Sequence, residues 1–509
     1  MAFLKQHTTT QPSPNGRSLP PKRWFNRWYA PVLAIATLGL VLAFGWRSPA
    51  HANEVRYHDE LSFPPLRELT LPDYERYSLP NGMTVYLQEN HELPLIEGQA
   101  YIRTGNRWED ASHTGLAGIT GSLIRSGGTT EHTATELAAL LESRAAGIES
   151  SIGTTSGSLS LSALTEDFDF VLGLTAEVLR QPAFPEERLA LIKKQISGNI
   201  ARRNDNPSGI TGREFSKLIY GDTSPYARTI EYSTLDAISR DDVVAFYDQY
   251  VTPDHIILGI SGDFETATAK ALIEKYFGDW QPSGNALPPV PSAQQVKTSG
   301  TFIVDRPELT QSSIRLGHLS GLVSSDDYPA LSVMNGILNG FGGRLFNELR
   351  SRQGLAYSVY GFWSANYDYP GLFLAGGQTR TESTATFIDG IKGEINRLRT
   401  EPLSEQELNY AKDSTLNSFV FNFASPLQVL SRLMTYDYYG YPSDFLFQYQ
   451  QGIRATTTDD IERVANQYLK PDQLVTLIVG DKAEITPLLS SSAGTVQELD
   501  ITIPPATSS

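Results

Sequence analysis

The positions of apolar residues predict a buried helix that begins near residue 116, with strands on either side of it. A Gly-Gly pair at residues 127 and 128 ends this helix. Its apolar residues recur at helical spacing: Leu116, Ile119, Leu123 and Ile124. Residues 83–90, 95–105 and 156–164 have the patterns of strands, and residues 186–203 predict a second helix with one apolar face.

The first predicted helix carries two glycines at positions where they weaken it. Gly118 and Gly121 lie in its middle, and a glycine inside a helix costs about 1 kcal/mol relative to alanine. His113 and His132 flank the stretch but lie too far apart along it to share a metal ion. The glycines therefore indicate either lost chemistry or close packing.

The chain contains two copies of one pattern. Residues 240–263 align without a gap with residues 458–481, and "LAGITGSLIRSGG" aligns more weakly with "LSVMNGILNGFGG" at an offset of 215. Each copy of the stronger repeat predicts a helix capped by an Asp, a Pro-Asp turn and a strand that ends in Gly-Asp. The sequence therefore predicts an α+β fold of two homologous halves, with helices packed on antiparallel-rich sheets.

Composition divides the chain into five segments. The N-terminal half spans residues 53–283, a Pro-, Ser- and Gly-rich linker spans 284–298, and the C-terminal half spans 299–489. A polar tail, residues 490–509, follows. Residues 1–52 precede the halves and differ from both in charge.

The first 52 residues have the pattern of an export signal. They hold six basic residues and no acidic one, and an apolar run, Ala30–Trp46, precedes the cleavage pattern A-H-A that ends at Ala52. The alternative is an uncleaved membrane anchor, and both place the rest of the chain outside the cytoplasm. We therefore expect a location in the periplasm or cell envelope, or in the thylakoid lumen of a photosynthetic host.

Composition excludes several kinds of chemistry. The chain has no cysteine, which removes disulfides, thiol nucleophiles and Cys-type metal sites. Its net charge of −16 argues against nucleic acid as a partner. The eight histidines include no pair at the i, i+3 or i+4 spacing of a helical metal site once the two in the export segment are set aside.

Two longer motifs carry a resemblance to a known family. "YSLPNGMTVYLQENHELPLIEGQAYIRTGNRWED" followed by "TGLAG" resembles the N-terminal signature of the pitrilysin-type (M16) zinc peptidases, and "GGRLFNELRSRQGLAYSVYG" resembles the signature of their second half. The resemblance covers about Tyr74 to Asp481. It implies a clamshell-like pair of halves, each with two α/β subdomains. The family includes processing peptidases and the core proteins of respiratory complex III.

The family's zinc motif is degenerate in this chain. Active members carry H-x-x-E-H on a helix, with a further Glu ligand in a later helix. The resemblance places Gly118 and Ser122 at the two histidines, Gly121 at the catalytic Glu, and Asn199 at the distal Glu. We therefore expect no metal in this chain and no zinc-side catalysis from it.

The second half keeps the other element of the family's site. In "LRSRQGLAY" the resemblance assigns Arg350 and Tyr357 to substrate binding opposite the zinc. The alternative is structural, with Arg350 paired to an acidic neighbour and Tyr357 packed in the core. The glycine-rich stretch 336–343 is a lesser candidate for substrate contact, and a tight turn between helices is an equal alternative.

The resemblance implies that two chains together form one active site. The leading hypothesis is the non-catalytic subunit of a heterodimeric zinc endopeptidase, which binds extended peptide and completes the site of a zinc-bearing partner. The alternative is a structural or binding protein of the same fold without a role in proteolysis. Peptides and the homologous subunit are the expected partners, and a membrane is expected only if the export segment stays uncleaved.

Overall fold

The computed structural model describes residues 71–340, 342–423, 425–489 and 495–506. These residues belong to one compact unit that spans 68–509. The expected export segment lies outside the described residues. Within them, no helix has the length and apolar character needed to cross a membrane.

The N-terminal half is built from six strands and eight helices among the described residues. In chain order these are β1 Glu75–Ser78, β2 Thr84–Glu89, β3 Leu95–Ile102, α1 Leu116–Ser126, α2 Ala134–Glu142, β4 Gly147–Ile152, β5 Gly157–Leu164, α3 Phe168–Arg180, α4 Glu186–Ala201, α5 Pro207–Tyr220, α6 Tyr232–Ala237, α7 Arg240–Tyr250, β6 Ile256–Gly262 and α8 Thr266–Phe277. The strands and helices predicted from the sequence in this half match observed elements, most of which are one to three residues shorter at one or both ends.

The C-terminal half repeats this order. Its elements are β7 Gly300–Asp305, β8 Gln311–Leu319, β9 Gly321–Leu322, α9 Tyr328–Leu338, β10 Ala356–Trp363, β11 Ala365–Asn366, β12 Leu372–Arg380, α10 Thr384–Thr400, α11 Glu405–Val420, α12 Pro426–Tyr439, α13 Phe445–Ala455, α14 Thr458–Tyr468, β13 Val475–Gly480, α15 Lys482–Ile485 and β14 Val496–Glu498. A π-helix, Phe346–Arg352, stands between α9 and β10.

The two six-stranded sheets have matching topology. The first sheet has the order β1-β2-β6-β3-β5-β4, and the second has the order β14-β7-β13-β8-β12-β10. Each sheet contains an equivalent parallel pair, β2 with β6 and β7 with β13, and the second sheet has a further parallel pair, β14 with β7; the other neighbours are antiparallel. The predicted α+β fold of two homologous halves is confirmed.

One helix of each half packs on the sheet of the other half. Helix α5 packs on β13 and β8, and α12 packs on β6, β3 and β2. Phe215 of α5 is fully buried among apolar residues of β7 and β13, and Met434 of α12 is fully buried beside Ile257 of β6. The two halves therefore share their cores.

The helix caps differ from the prediction. The sequence predicted an Asp as the cap of α7 and α14, but Ser239 and Thr457 are the N-cap residues. Their hydroxyls accept from the backbone of the Asp three positions later, and that carboxylate accepts from the backbone N–H of the cap residue. This reciprocal pair is a capping box, in which the acidic residue belongs at the third helical position.

The linker and the tail are both attached to the folded halves. In the linker, Pro289 and Pro291 accept hydrogen bonds from Trp108 and Tyr226. In the predicted polar tail, β14 pairs in parallel with β7. Beyond β14, apolar and polar residues alternate. Leu499 and Ile501 pack on the apolar cluster around α5.

Candidate functional site

Helix α1 carries three of the four residues at the expected zinc positions. Gly118 and Ser122 are exposed, and the Ser122 hydroxyl donates to the Gly118 carbonyl at 3.0 Å. A Cβ atom built on Gly118 would meet nothing within 4 Å. Positions 118 and 122 therefore have room for larger side chains that the sequence does not supply.

Gly121 is buried and has a packing role. A Cβ atom at this position would lie 2.3 Å from the Ile152 backbone nitrogen, a distance that Cβ atoms do not tolerate. The Ser150 hydroxyl donates to the Gly121 carbonyl at 2.6 Å. Helix α1 thus lies directly against strand β4, and a side chain at position 121, which the resemblance assigns to the catalytic Glu, would collide with the β4 backbone.

Asn199 completes the set on α4, which packs against α1. Its side chain is exposed. A helix pair with Gly, Gly, Ser and Asn at the four positions offers no imidazole, carboxylate or thiolate, which are the groups that hold zinc in proteins. Across the described residues, no group of three or more His, Asp or Glu side chains is placed to hold a metal ion.

A buried carboxylate anchors the start of α1. The two Glu109 oxygens accept from the backbone N–H groups of Gly115 and Ala117, each at 2.9 Å. Burial raises the pKa of this carboxyl, against the opposite effect of the two N–H donors. The amides at a helix N-terminus favour an anion, so Glu109 fixes the helix. Sequence reasoning missed this residue, because it precedes the helix by seven positions.

The histidines are dispersed and engaged one at a time. His132 contacts Glu177 at 2.9 Å, and His91 contacts Asp263 at 2.7 Å. The contact with Asp263 raises the pKa of His91. His318 is fully buried in β8, and burial lowers its pKa to about 4.

The structure brings Arg350 and Tyr357 together. The Arg350 guanidinium carbon lies 4.8 Å from the centre of the Tyr357 ring and 4.7 Å from that of Phe346. Gly354, with a φ of 61°, lets the chain reverse between the π-helix and β10. The seven-residue spacing thus places the cation over the aromatic ring, a cation–π arrangement.

Tyr357 projects from an irregularity in the sheet edge. Ala356 pairs with Thr379 and Ser358 pairs with Gln378, so Tyr357 is the extra residue of a β-bulge. Bulges re-aim a side chain, and π-helical turns are frequent at functional sites. Strand β10 is an edge strand, and the Tyr357 side chain is 84% exposed.

The surroundings of the pair differ from the structural alternative raised by the sequence. Arg350 forms no ion pair with any other described residue, although Arg352 on the same π-helix pairs with Glu348. That contact lowers the pKa of Glu348. Tyr357 does not lie in the core. Both functional groups are thus available to a ligand.

The glycine-rich stretch forms the end of a helix and a turn. Gly336 lies inside α9, close to Ala411 of α11. Gly340 has a φ of 79°, and its carbonyl accepts from Gly343 at 3.1 Å. A Cβ at Gly343 would collide with the Asn339 carbonyl, so this glycine is required by the turn itself.

Fold and site together define a class: a two-half α+β protein with a half-buried Arg350 stacked on an exposed Tyr357, and with no zinc-binding side chain at the four positions that the resemblance assigns to the zinc site. Residues 237–415 match the model of the Peptidase M16 inactive domain. The chain is 24% identical over 362 residues to an uncharacterized zinc protease, YmxG, of Bacillus subtilis, covering 70% of this chain and 86% of the relative.

Two further comparisons agree with this class. A protein of Helicobacter pylori named a non-peptidase homolog is 23% identical over 404 residues, covering 78% of this chain and 92% of the relative. The crystal structure of a peptidase M16 inactive domain from Pseudomonas fluorescens superposes with a TM-score of 0.73 at 25% identity, covering 81% of this chain and 98% of that one. The chain is therefore similar to members of the M16 peptidase family over most of its length. Its relatives bear the names of both proteases and a non-peptidase.

Proposed function

We propose that this protein is the non-catalytic subunit of a heterodimeric zinc endopeptidase. It binds extended peptide and completes the active site of a zinc-bearing homologous subunit through Arg350 and Tyr357. The partner supplies the metal and the base. This role requires both chains in one compartment, and the export pattern of residues 1–52 is the basis for proposing the cell envelope.

The observation that carries the proposal is the stacking of a half-buried Arg350 on an exposed Tyr357. A tyrosine that is 84% exposed on a bulged edge strand adds little to a hydrophobic core. An arginine without an ion pair among the described residues can still donate its side-chain hydrogen bonds, to water or to a ligand. Such a pair is suited to binding a ligand.

The chemistry of the pair suits a peptide carbonyl. The planar guanidinium can donate two hydrogen bonds to carbonyl oxygens of a bound backbone. The Tyr357 hydroxyl can donate to the oxygen that becomes negative in the tetrahedral intermediate of peptide hydrolysis, and removal of such a donor costs about 10²–10³ in kcat. Stacking of the guanidinium on the Tyr357 ring orients both groups before a ligand arrives.

The edge strand gives the peptide a place to lie. On one side β10 pairs with β12, and its other side is the border of the sheet. An extended peptide can add to such an edge through backbone hydrogen bonds, with alternate side chains pointing to the two faces. Tyr357 lies at the start of this strand, so the scissile bond would lie near that end.

Reconstitution with a zinc-bearing homologue from the same cell tests the proposal. We expect the mixture to cleave a peptide library faster than the homologue alone. Arg350→Ala and Tyr357→Phe should each lower kcat/KM of the mixture by about 10²-fold or more. Arg352→Ala is the matched control, because Arg352 lies on the same π-helix and pairs with Glu348.

The same experiment separates the catalytic role from the alternative, a structural or binding role without proteolysis. A structural or binding role without proteolysis is favoured by one observation, the name of the Helicobacter pylori relative as a non-peptidase homolog. If the mixture cleaves no faster than the homologue alone, and the variants of Arg350 and Tyr357 behave like Arg352→Ala, the catalytic proposal fails and the structural role stands.

A further inference from the structure

The C-terminal half contains an aromatic cavity of about 660 Å³. It lies where α9 begins, α12 ends and α13 begins. Six rings form most of its wall: Tyr328, Tyr367, Tyr439, Tyr441, Phe445 and Tyr449. Many of them hold one another in place, with ring centres 4.6 Å apart for Tyr367 and Tyr439 and 5.2 Å apart for Tyr328 and Tyr449. This volume is within the usual range of ligand sites.

The repeat shows what occupies the corresponding place in the other half. Helices α5 and α12 both have 14 residues, both begin with Pro and end with Tyr, and a left-handed glycine follows each. Gly221 after α5 therefore corresponds to Gly440 after α12. A Cβ on Gly221 would lie 3.1 Å from Val296 of the linker region, whereas a Cβ on Gly440 would meet nothing within 4 Å.

The linker fills this place in the N-terminal half as an extended, proline-rich segment. The Val296 backbone N–H donates to the Ile219 carbonyl at 2.8 Å. Upstream, the Tyr226 hydroxyl donates to the Pro291 carbonyl at 2.6 Å, and the Trp108 ring N–H donates to the Pro289 carbonyl at 3.2 Å. Aromatic donors that bind carbonyls of a Pro-rich segment are the hallmark of polyproline II recognition.

The cavity in the C-terminal half differs from that surface in its polar groups. At the offset of 219 set by the two helices, Phe445 replaces Tyr226. Ser324 and Gln448 are exposed at the rim, where one N–H of the Gln448 amide donates to Asp444 at 3.0 Å and the other is left for a ligand. Asp326 is the one residue with a formal charge among those that line the cavity. A basic residue in the ligand would complement this carboxylate.

We propose that the cavity binds an extended proline-rich segment of another polypeptide, with a basic residue beside the prolines. The prolines lie against the tyrosine rings as the linker lies against Trp108 and Tyr226. The basic side chain reaches Asp326. The site is separate from Arg350 and Tyr357, since the cavity lies beyond the end of β10 and Tyr357 lies at its start.

Fluorescence anisotropy of the purified protein with a labelled peptide tests this site. The probe is KALPPVPS, which carries residues 286–292 of the linker behind a lysine. We expect saturable binding, with binding weakened about tenfold or more for KALAAVAS, a difference of about 1.4 kcal/mol. EALPPVPS should also bind more weakly, because its glutamate faces Asp326. A peptide that added to a sheet edge would show the opposite order for alanine, since proline has no N–H.

Rim variants place the binding in the cavity. Gln448→Trp fills the mouth and should abolish binding, and Gln451→Trp on the same helix, outside the cavity lining, should not. If Gln448→Trp unfolds the protein, Ser324→Trp replaces it. The proposal is overturned if the probe shows no saturable binding, if KALAAVAS binds equally well, or if the folded rim variants bind like the wild type. Equal binding of EALPPVPS overturns the role of Asp326.

Discussion

The two glycines in the middle of α1 have different physical reasons. Gly121 is required by the contact with β4, whereas Gly118 faces open space. We expect Gly118→Ala to stabilise the protein by up to about 1 kcal/mol through helix propensity. Gly121→Ala should destabilise it by about 1–3 kcal/mol through overpacking. Urea unfolding of the two variants measures both effects, and equal shifts would contradict the packing role of Gly121.

His318 gives the C-terminal half a dependence on pH. It is fully buried in β8, its ring lies 5.1 Å from that of Phe373, and its pKa falls from 6.5 to about 4. The unfolded chain therefore binds a proton that the folded chain excludes, so stability is lost as the pH falls from about 6.5 towards 4.

This loss amounts to about 3 kcal/mol for His318 at pH 4. Chemical unfolding at pH 7 and pH 4 should show it in the wild type. His318→Gln should show a smaller decrease between the two pH values. An unchanged decrease in that variant would assign the acid sensitivity to other groups.

At the residue scale the sequence named Arg350 and Tyr357 as candidates, but it did not show what places the two side chains together. The spacing in "LRSRQGLAY" and the resemblance identified Arg350 and Tyr357. The π-helix, the left-handed Gly354 and the bulge that turns Tyr357 outward depend on the pairing of β10 with β12, which local patterns do not specify. The collision at Gly121 likewise depends on a strand 30 residues away.

At the scale of elements the exchange of α5 and α12 couples the two halves. Met434 of α12 touches the first sheet, where a Cβ on Gly259 would lie 2.3 Å from its sulfur. Met334 of α9 is equally buried but lies in the core of its own half. The two methionines therefore form a matched pair for testing the exchange.

We expect Met434→Ala and Met334→Ala each to cost about 2–5 kcal/mol. In hydrogen exchange, Met434→Ala should speed exchange in β3 and β6 of the N-terminal half. Met334→Ala should act first on the helices around α9. If both variants speed exchange only in the C-terminal half, α12 does not support the first sheet as the structure indicates.

The sequence repeat predicted the helices and strands of both halves, but it did not predict that α5 and α12 pack on each other's sheets. An alignment of two halves shows that α5 and α12 are equivalent, but it does not show which sheet each covers. Leu499, Ile501 and Ile503 alternate with polar residues, which is the pattern of a strand. Because the pattern is short and lies among polar residues and prolines, it did not predict a strand. Their burial comes from α5 and from the cores of both halves, which are distant in sequence.

At the scale of the whole molecule, the two elements that the resemblance assigns to the family's site differ in what they offer a ligand. On the N-terminal side the positions that the resemblance assigns to zinc ligands hold Gly118, Ser122 and Asn199, and α1 packs directly on β4 at Gly121. On the C-terminal side a half-buried Arg350 stacks on an exposed Tyr357. This asymmetry matches a protein that acts together with a chain carrying the complementary half of the site.

Restoring the family motif tests how far the N-terminal side has diverged. Two histidines on one exposed face of α1 and a glutamate on the adjacent helix form a plausible zinc set. We expect the triple variant Gly118→His, Ser122→His, Asn199→Glu to remain folded and to bind about one zinc ion, as measured by metal analysis after dialysis. It should not cleave peptides, because it lacks a base.

Addition of Gly121→Glu to that triple variant supplies the base and should fail for a steric reason. The new Cβ would meet the Ile152 backbone at 2.3 Å, so β4 or α1 must shift. We expect a loss of stability of at least about 1–3 kcal/mol relative to the triple variant, with no peptidase activity. A quadruple variant that is as stable as the triple one and cleaves peptides would show that the zinc side was lost through its ligands alone, and that the contact of α1 with β4 can open.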